Sequence, residues 1–351
     1  MMVVLFHCNG LIAWPANDRP FAFAETAWVG VDIFFAISGF VIGKSAMAHC
    51  RTPDYALTFW RSRAARILPL YFVTLAVFLV AIQPKEVLDR PLLHIGLHAV
   101  FLHNVFAETM FSVNGVTWSL AIEAQFYLLA FLLAPRIATM PANRAWTVFA
   151  LVCAGVIAFR AAVYFLLSTA GPNPDAISHQ LSQVPALFEG FMFGMVAATL
   201  RPSPGSIPKW LPSLAGATVL ACYLILHWGF VPNRETYWTN PIIAIFFRSG
   251  VAAFASLCVL TALLSTPADP LAFRLMKFLG KISYGIYLWH LILLFSLGKT
   301  GLSGSPWLVA LGTVFGSVLI ATVSYQLIEY PFIAWDKNQR SRKAEGKSPS
   351  T

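Results

Sequence analysis

Long apolar runs separated by short polar segments make up most of this chain. Ten of these runs have the length and apolarity expected of helices that cross a bilayer. They are residues 1–15, 28–47, 67–83, 116–134, 146–167, 184–200, 211–231, 241–264, 279–297 and 306–333. The pattern predicts an all-α polytopic membrane protein, built as a bundle of about ten transmembrane helices.

Two segments fall outside this series. Residues 92–106 are apolar but short, and we predict an interfacial or re-entrant piece there. His94 and His98 stand four positions apart, as metal ligands on a helix often do, but no third ligand is evident nearby, so no metal site is predicted. We expect one transmembrane domain over residues 1–335 and a basic, disordered tail over residues 336–351.

Charge is scarce in this chain and unevenly placed. Hydrophobic residues make up 58% of its 351 residues and charged residues 11%, against about 25% charged in a soluble domain. With the N-terminus inside, seventeen Lys and Arg residues fall in cytoplasmic segments and five outside. This bias predicts that both termini are cytoplasmic. It also accounts for most of the net charge of +9, so nucleic-acid binding is not predicted.

Glu123 is the most unusual residue among the predicted spans. An ionised carboxylate in hydrocarbon costs about 2.5–3.5 kcal/mol on insertion scales, so it normally faces a bundle interior or a wet cavity. At helical spacing, Ser119, Glu123 and Tyr127 share one face, with Trp118 beside them. These residues predict either a polar site between helices or a structural bond to a neighbouring helix.

Six ionisable side chains fall in the outer halves of six different predicted spans. They are His7, Asp32, Glu123, Arg160, Glu189 and Arg248. Scattered structural ion pairs need not gather at one depth, whereas a shared cavity in the outer leaflet would gather them there. We therefore expect one common polar cavity, in which the two arginines offset the three carboxylates.

Five stretches, in order along the chain, resemble the membrane-bound acyltransferase-3 family. They are residues 29–40 (VGVDIFFAISGF), 63–71 (RAARILPLY), 118–123 (WSLAIE), 282–290 (ISYGIYLWH) and 329–331 (EYP). The resemblance implies a multi-pass protein of the bacterial inner membrane that O-acylates carbohydrates. It implies acyl-CoA, most simply acetyl-CoA, as donor substrate, a polysaccharide or lipid-linked sugar as acceptor, contact with membrane lipid, and no permanently bound cofactor.

The resemblance also assigns a catalytic histidine. His7 matches a histidine of the family's first helix that follows a basic residue by eleven positions. There is no room for that basic residue before Met1, so we expect the first helix to be truncated at its N-terminus. His7 is then the base that deprotonates the acceptor hydroxyl, or it carries the acyl group transiently, and Asp32 and Glu123 are the carboxylates that would orient it.

The remaining candidates are substrate-binding residues. Arg63 and Arg66 share a helix face, either as an ordinary membrane anchor or as a dock for the phosphates of acyl-CoA. The other candidates for contact with a substrate are polar or aromatic residues of the spans. They are Ser38, Trp118, Ser119, Tyr127, Arg160, Glu189, Arg248 and His290. For His290, a hydrogen bond between helices is an equal alternative.

A second class of function remains open. A carrier or flippase for a lipid-linked sugar or a small anion would also have a polar cavity within the membrane. Such proteins commonly show paired broken helices in an inverted repeat, and no internal repeat is evident in this sequence.

Overall fold

The computed structural model describes residues 1–15, 22–169, 171, 173–200, 208, 210–264 and 270–344. These residues form α-helices with short 3-10 and π segments, and the described part of the chain contains no strand. The long helices are α1 (Met2–Leu11), α2 (Gly30–His49), α3 (Tyr55–Ile82), α7 (Trp118–Ile137), α8 (Ala142–Leu167), α10 (Val184–Ala197), α11 (Leu211–Phe230), α12 (Arg248–Leu264), α13 (Pro270–Gly298), α14 (Pro306–Ser324) and α15 (Tyr330–Ala344). The short ones are α4 (Lys85–Asp89), α5 (Pro91–Ala99), α6 (Ala107–Met110) and α9 (Pro174–Leu181).

Eight helical segments are long and apolar enough to cross a membrane. They are Phe23–His49, Tyr55–Ile82, Gly115–Ile137, Ala142–Leu167, Leu211–Asn233, Ile243–Leu264, Phe273–Gly298 and Pro306–Arg342. The other two predicted spans correspond to α1, of 10 residues, and α10, of 14 residues, which are shorter than these eight segments. The predicted all-α polytopic fold is confirmed, while the cytoplasmic placement of both termini stays a prediction.

Two boundaries differ from the sequence prediction. Helix α3 begins at Tyr55, twelve positions before the predicted start, so Arg63 and Arg66 lie within the helix. The tail predicted to be disordered from Asp336 is corrected for its first part, because α15 continues as a helix to Ala344. Asp336 is buried there and pairs with Arg61 of α3 (2.7 Å) and with Arg340. The rest of the predicted tail, residues 345–351, lies outside the described residues.

Helices α2 and α10 make the tightest contact in the bundle. Gly39 of α2 faces the carbonyl of Phe191, and Gly194 of α10 faces the carbonyl of Ala36 and the amide of Phe40. A Cβ at Gly43 would lie 3.1 Å from Cα of Met195. Small residues four apart let two helix backbones approach closely, which is a principal source of attraction between helices in a bilayer.

Helix α7 packs against both α2 and α10 and completes the centre of the core. Phe126 of α7 stacks on Phe191 with ring centroids 4.5 Å apart, and it meets Phe35 of α2 edge-on at 5.2 Å. All three rings are fully buried or nearly so. Around this centre, α1 and α3 pack against α13, while α13 pairs with α14 and α11 with α12.

We expect Gly194→Ala to destabilise the protein, because the added Cβ would overlap backbone atoms of α2 that cannot move alone. Overpacking of this kind costs about 1–3 kcal/mol. Gly155→Ala is the matched control, since Gly155 lies in α8 with open space around it. Thermal unfolding of the detergent-purified protein should show a lowered midpoint for Gly194→Ala only. Equal midpoints for the two variants would contradict the close contact.

Candidate active site

His7 of α1 makes its side-chain contact with a second histidine, His290 of α13. His7 Nδ1 lies 3.0 Å from His290 Nε2. The other ring nitrogen of His290, Nδ1, lies 2.7 Å from the backbone carbonyl oxygen of Tyr287. A carbonyl only accepts, so Nδ1 of His290 carries the hydrogen and its Nε2 has the lone pair. His7 Nδ1 therefore donates, and Nε2 of His7 keeps a free lone pair.

The carboxylates expected to orient His7 are paired elsewhere, which corrects that part of the prediction. Among the described residues, neither Asp32 nor Glu123 hydrogen-bonds to His7. His290, predicted as a substrate contact or a helix–helix bond, instead makes the hydrogen bond to His7. The spacing of Tyr287 and His290 on one helix was the available signal, but the sequence did not place His7 opposite them.

Glu123 lies beside α2. The hydroxyl of Ser38 donates to Oε1 of Glu123 at 2.7 Å, and the hydroxyl of Tyr127 also interacts with this carboxylate. All three side chains are buried. This confirms that Glu123 faces the bundle interior, and it brings together two residues that were predicted from separate motifs.

Four of the six ionisable residues form a second buried group. Arg248 Nε lies 3.5 Å from Asp32, and Arg160 lies 2.5 Å from Glu189. Arg160 also donates to the carbonyl of Ala186 and, at 2.8 Å, to the hydroxyl of Ser249, which in turn reaches Glu189. Arg160 is 1% exposed and its nitrogens are used within the protein. Arg160 and Glu189 therefore form a buried structural pair, and their contact with a substrate stays a prediction.

Glu123 and His7 line two adjoining cavities rather than the expected single one. The inner cavity, of about 300 Å³, is lined by Val3, Arg66, Glu123, Tyr127, Tyr284 and Tyr287 among others. The histidine cavity, of about 550 Å³, is lined by Val3, His7, Trp28, Trp118, Arg248 and Tyr287 among others. Because Val3, Val31 and Tyr287 line both cavities, the inner cavity with Arg66 adjoins the space around His7.

Polar groups surround the boundary between the two cavities. The hydroxyls of Ser119 and Tyr287 are 2.7 Å apart, and Tyr287 donates to the carbonyl of Val116 at 2.8 Å. Trp118 follows Thr117 at the start of α7 and lines the histidine cavity. The structure thus places Trp118 beside the cavity of His7 and bonds Ser119 to Tyr287, a neighbour that the sequence did not predict.

One of the two arginines of α3 lines the inner cavity, and the other lies next to one of its lining residues. Arg66 lines it, lies 3.8 Å from Glu329, and is about a third exposed. Arg63 lies over the rings of Phe59 and Tyr127, at 5.3 and 6.0 Å from their centroids. Glu329 is fully buried, and neither of its oxygens has a hydrogen-bond partner. Arg66 is therefore held loosely enough to bind an anion.

Short π-helical turns precede Arg248 and end at Glu329. They span Ile243–Phe247 and Tyr325–Glu329. A π turn shifts the side chains that follow it relative to an α-helix, and such turns are frequent at functional sites. No residue pattern in the sequence signals them, so the sequence could not place these two charges.

The histidines of residues 92–106 form a separate buried cluster. His98 and His103 stack with ring centroids 3.8 Å apart, and His98 Nδ1 donates to the carbonyl of His94 at 2.8 Å. Burial lowers the pKa of His98 to about 4 and that of His103 to about 3, so both are neutral near pH 7. Across the described ranges, no three His, Cys, Asp or Glu residues are placed to hold a metal ion.

We expect Glu189→Ala to destabilise the fold strongly, because it leaves Arg160 charged and buried without its partner. Breaking a buried pair in this way costs about 3–5 kcal/mol. Glu108→Ala is the control, since Glu108 pairs with Arg90 on an exposed surface. The thermal midpoint in detergent should fall well below that of the control. Equal stability of the two variants would speak against the structural assignment.

Comparison with known proteins supports the family resemblance. Residues 1–326 match the family model described as an acyltransferase domain. The chain is 27% identical to the peptidoglycan O-acetyltransferase OatA of Listeria monocytogenes, over 92% of this chain and 54% of that protein. It is 24% identical to the O-acetyltransferase OatA of Staphylococcus aureus, over 93% of this chain and 55% of that protein.

The chain spans about half the length of these curated relatives. No solved structure matches it. The family match, in contrast, covers nearly the whole chain and includes four of the five stretches that carry the resemblance. The chain therefore belongs to the membrane-bound acyltransferase-3 family.

Proposed function

We propose that this chain is an integral membrane O-acetyltransferase that moves an acetyl group from cytosolic acetyl-CoA to a hydroxyl of a carbohydrate. One observation carries the proposal: Nε2 of His7 has a free lone pair in a cavity that adjoins the one lined by Arg66. The names of the relatives support acetyl as the transferred group and a cell-envelope glycan, or its lipid-linked precursor, as the acceptor.

In the proposed reaction, His7 is the general base. The acceptor hydroxyl attacks the thioester carbonyl carbon and gives its proton to Nε2 of His7, while the carbon–sulfur bond breaks. The protonated imidazole then returns the proton to the departing sulfur, so that coenzyme A leaves as a thiol. His290 favours this sequence, because its Nε2 accepts from Nδ1–H of His7 whether the His7 ring is neutral or protonated.

The carbonyl oxygen becomes negative during the attack and needs a donor. Trp118 lines the histidine cavity, and its indole N–H makes no hydrogen bond to any other described residue. We assign Trp118 this role, because a donor with no competing partner is ready for the oxyanion. The Ser119 and Tyr287 hydroxyls bond each other and hold the start of α7 against α13.

Glu123 and Asp32 have supporting roles in this proposal. Glu123 and Tyr127 line the inner cavity and offer polar contacts to the amides of the pantetheine arm, with Ser38 holding Glu123 in place. Asp32 holds Arg248 at the edge of the histidine cavity. Arg63 and Arg66 bind the phosphates of the donor at the predicted cytosolic end, where the planar guanidinium suits an anionic oxygen pair.

We expect His7→Ala to lower the rate of transfer by about 10²–10⁴-fold, the usual loss when a general base is removed. His290→Leu should lower it as well, and His290→Gln should restore part of the loss, because the Gln side-chain carbonyl can accept from His7. The measurement is transfer of labelled acetyl from acetyl-CoA in membranes. His49→Ala is the control, since His49 is exposed and bonds only its own helix.

Transfer that survives His7→Ala would contradict the assignment of the base. Normal activity in His290→Leu would contradict the orienting role of the hydrogen bond to His7. It would not contradict the assignment of His7 as the base. Absence of transfer in the wild-type protein, with transport of a lipid-linked sugar instead, would favour the carrier alternative.

We expect Arg63→Ala and Arg66→Ala to raise KM for acetyl-CoA by about tenfold each, with a smaller effect on kcat. The reason is that a charge-assisted hydrogen bond to a phosphate contributes about 1.5–3 kcal/mol. Arg136→Ala is the matched control, because Arg136 lies on the same predicted face but is exposed and bonds only its own helix. An unchanged KM in both variants would remove these arginines from the donor site.

A further inference from the structure

A third cavity lies next to the histidine cavity, at the predicted extracytoplasmic end of α1. Its volume is about 350 Å³, and its lining includes Asn9, Trp28, Phe230, Tyr237, Trp238 and Arg248. We call it the aromatic cavity. We propose that it binds the acceptor as an uncharged pyranose ring and presents a ring hydroxyl to His7. This inference rests on the proposed function and names the part of the site that selects the acceptor.

The first observation is a buried acceptor atom without a partner. Asn9 is 3% exposed, yet its side-chain oxygen Oδ1 makes no hydrogen bond. Buried amide oxygens are nearly always hydrogen-bonded in folded proteins, so an exception that lines a cavity points to a ligand. Asn9 lies on α1 two residues after His7, and the aromatic cavity that it lines shares Trp28 and Arg248 with the histidine cavity.

The second observation is an arginine whose donors are only partly used. Arg248 is 7% exposed, and its Nε lies 3.5 Å from Asp32 without forming a hydrogen bond. Its Nη1 makes one long bond, at 3.4 Å, to the carbonyl of Leu181. Arg248 therefore offers donors where Asn9 offers an acceptor. Sugar hydroxyls donate and accept at once, so neighbouring hydroxyls of one ring can satisfy both side chains.

The third observation is the aromatic lining. Tyr237 and Trp238 meet edge-on with ring centroids 4.5 Å apart, and Trp28 packs against Phe230 at 5.7 Å. Flat apolar rings beside a few convergent polar groups are the usual make-up of a small-ligand site. The C–H face of a pyranose is apolar and can cover such rings, while its hydroxyls point to the polar side.

The charges of the aromatic cavity favour a neutral ligand. Arg234 pairs with Glu25 at 2.8 Å, and the charge of Arg248 is offset by Asp32. A nucleotide or a sugar phosphate would meet no unpaired cation here. The cavity is therefore suited to a neutral sugar, whereas the inner cavity with Arg66 is suited to the anionic donor.

The position of the aromatic cavity gives the acceptor access to the base. Phe6, Trp28 and Arg248 line both the aromatic cavity and the histidine cavity. A ring bound beside Trp28 can therefore extend one hydroxyl past Arg248 toward Nε2 of His7. Donor and acceptor would then reach the histidine from opposite sides.

The test is direct binding of a sugar to the purified full chain in lipid nanodiscs. The probe is the β-1,4-linked tetramer of N-acetylglucosamine, and binding is measured by isothermal titration without any donor. Asn9→Leu and Trp238→Ala should each weaken binding about tenfold or more. Trp228→Ala is the matched control, because this tryptophan is 73% exposed on α11 and lines none of the three cavities described above.

Unchanged binding in both cavity variants, or no binding by the wild-type protein at millimolar tetramer, would overturn the inference. Circular dichroism and thermal midpoints of Asn9→Leu and Trp238→Ala show whether each variant is folded. Only the binding measured with a folded variant decides the inference. The release of coenzyme A from acetyl-CoA without acceptor is measured in parallel and should be unchanged in the control variant Trp228→Ala. If the tetramer binds as expected but no acetyl group is ever transferred, the proposed function fails and the sugar site remains.

Discussion

The close approach of α2 to α10 is the contact on which the arrangement of polar residues depends. Gly39 and Gly194 let the two backbones meet where any side chain would hold them apart. This contact sets the position of α2, which then directs Ser38 to Glu123 and Asp32 to Arg248. On the other helix, it sets Glu189 opposite Arg160. A shift of either helix would leave several buried charges without partners at once.

Burial makes the few unpaired polar atoms informative. Most ionisable groups in the bundle are matched, because an unmatched charge in hydrocarbon is costly. Nε2 of His7, Oδ1 of Asn9 and the carboxylate oxygens of Glu329 have no hydrogen-bond partner. The first two border adjoining cavities, and Glu329 stands beside Arg66. The candidate ligand-binding atoms are thus among the polar atoms that helix packing leaves without a partner.

Much of the site follows from particular residues of the sequence. Glu123 was placed in the interior because a carboxylate within an apolar run must avoid lipid, and Arg63 and Arg66 were grouped because they share a helix face. His7 was identified only through the family resemblance, since a lone histidine in an apolar helix is equally compatible with packing. The predicted hydrogen-bond partner of His7, a carboxylate, is wrong. The partner is His290, from a helix far along the chain.

The sequence by itself determined the all-α membrane class, the apolar character of the helices, and the residue types that a site in a membrane can use. Hydrophobicity and helical spacing are local properties, so they can be read one segment at a time. The tertiary structure alone decided which charges neutralise each other and which face a cavity. It also produced the π turns beside Arg248 and Glu329 and the division of one expected cavity into adjoining ones. Those outcomes depend on how distant helices cross, and no single segment contains that information.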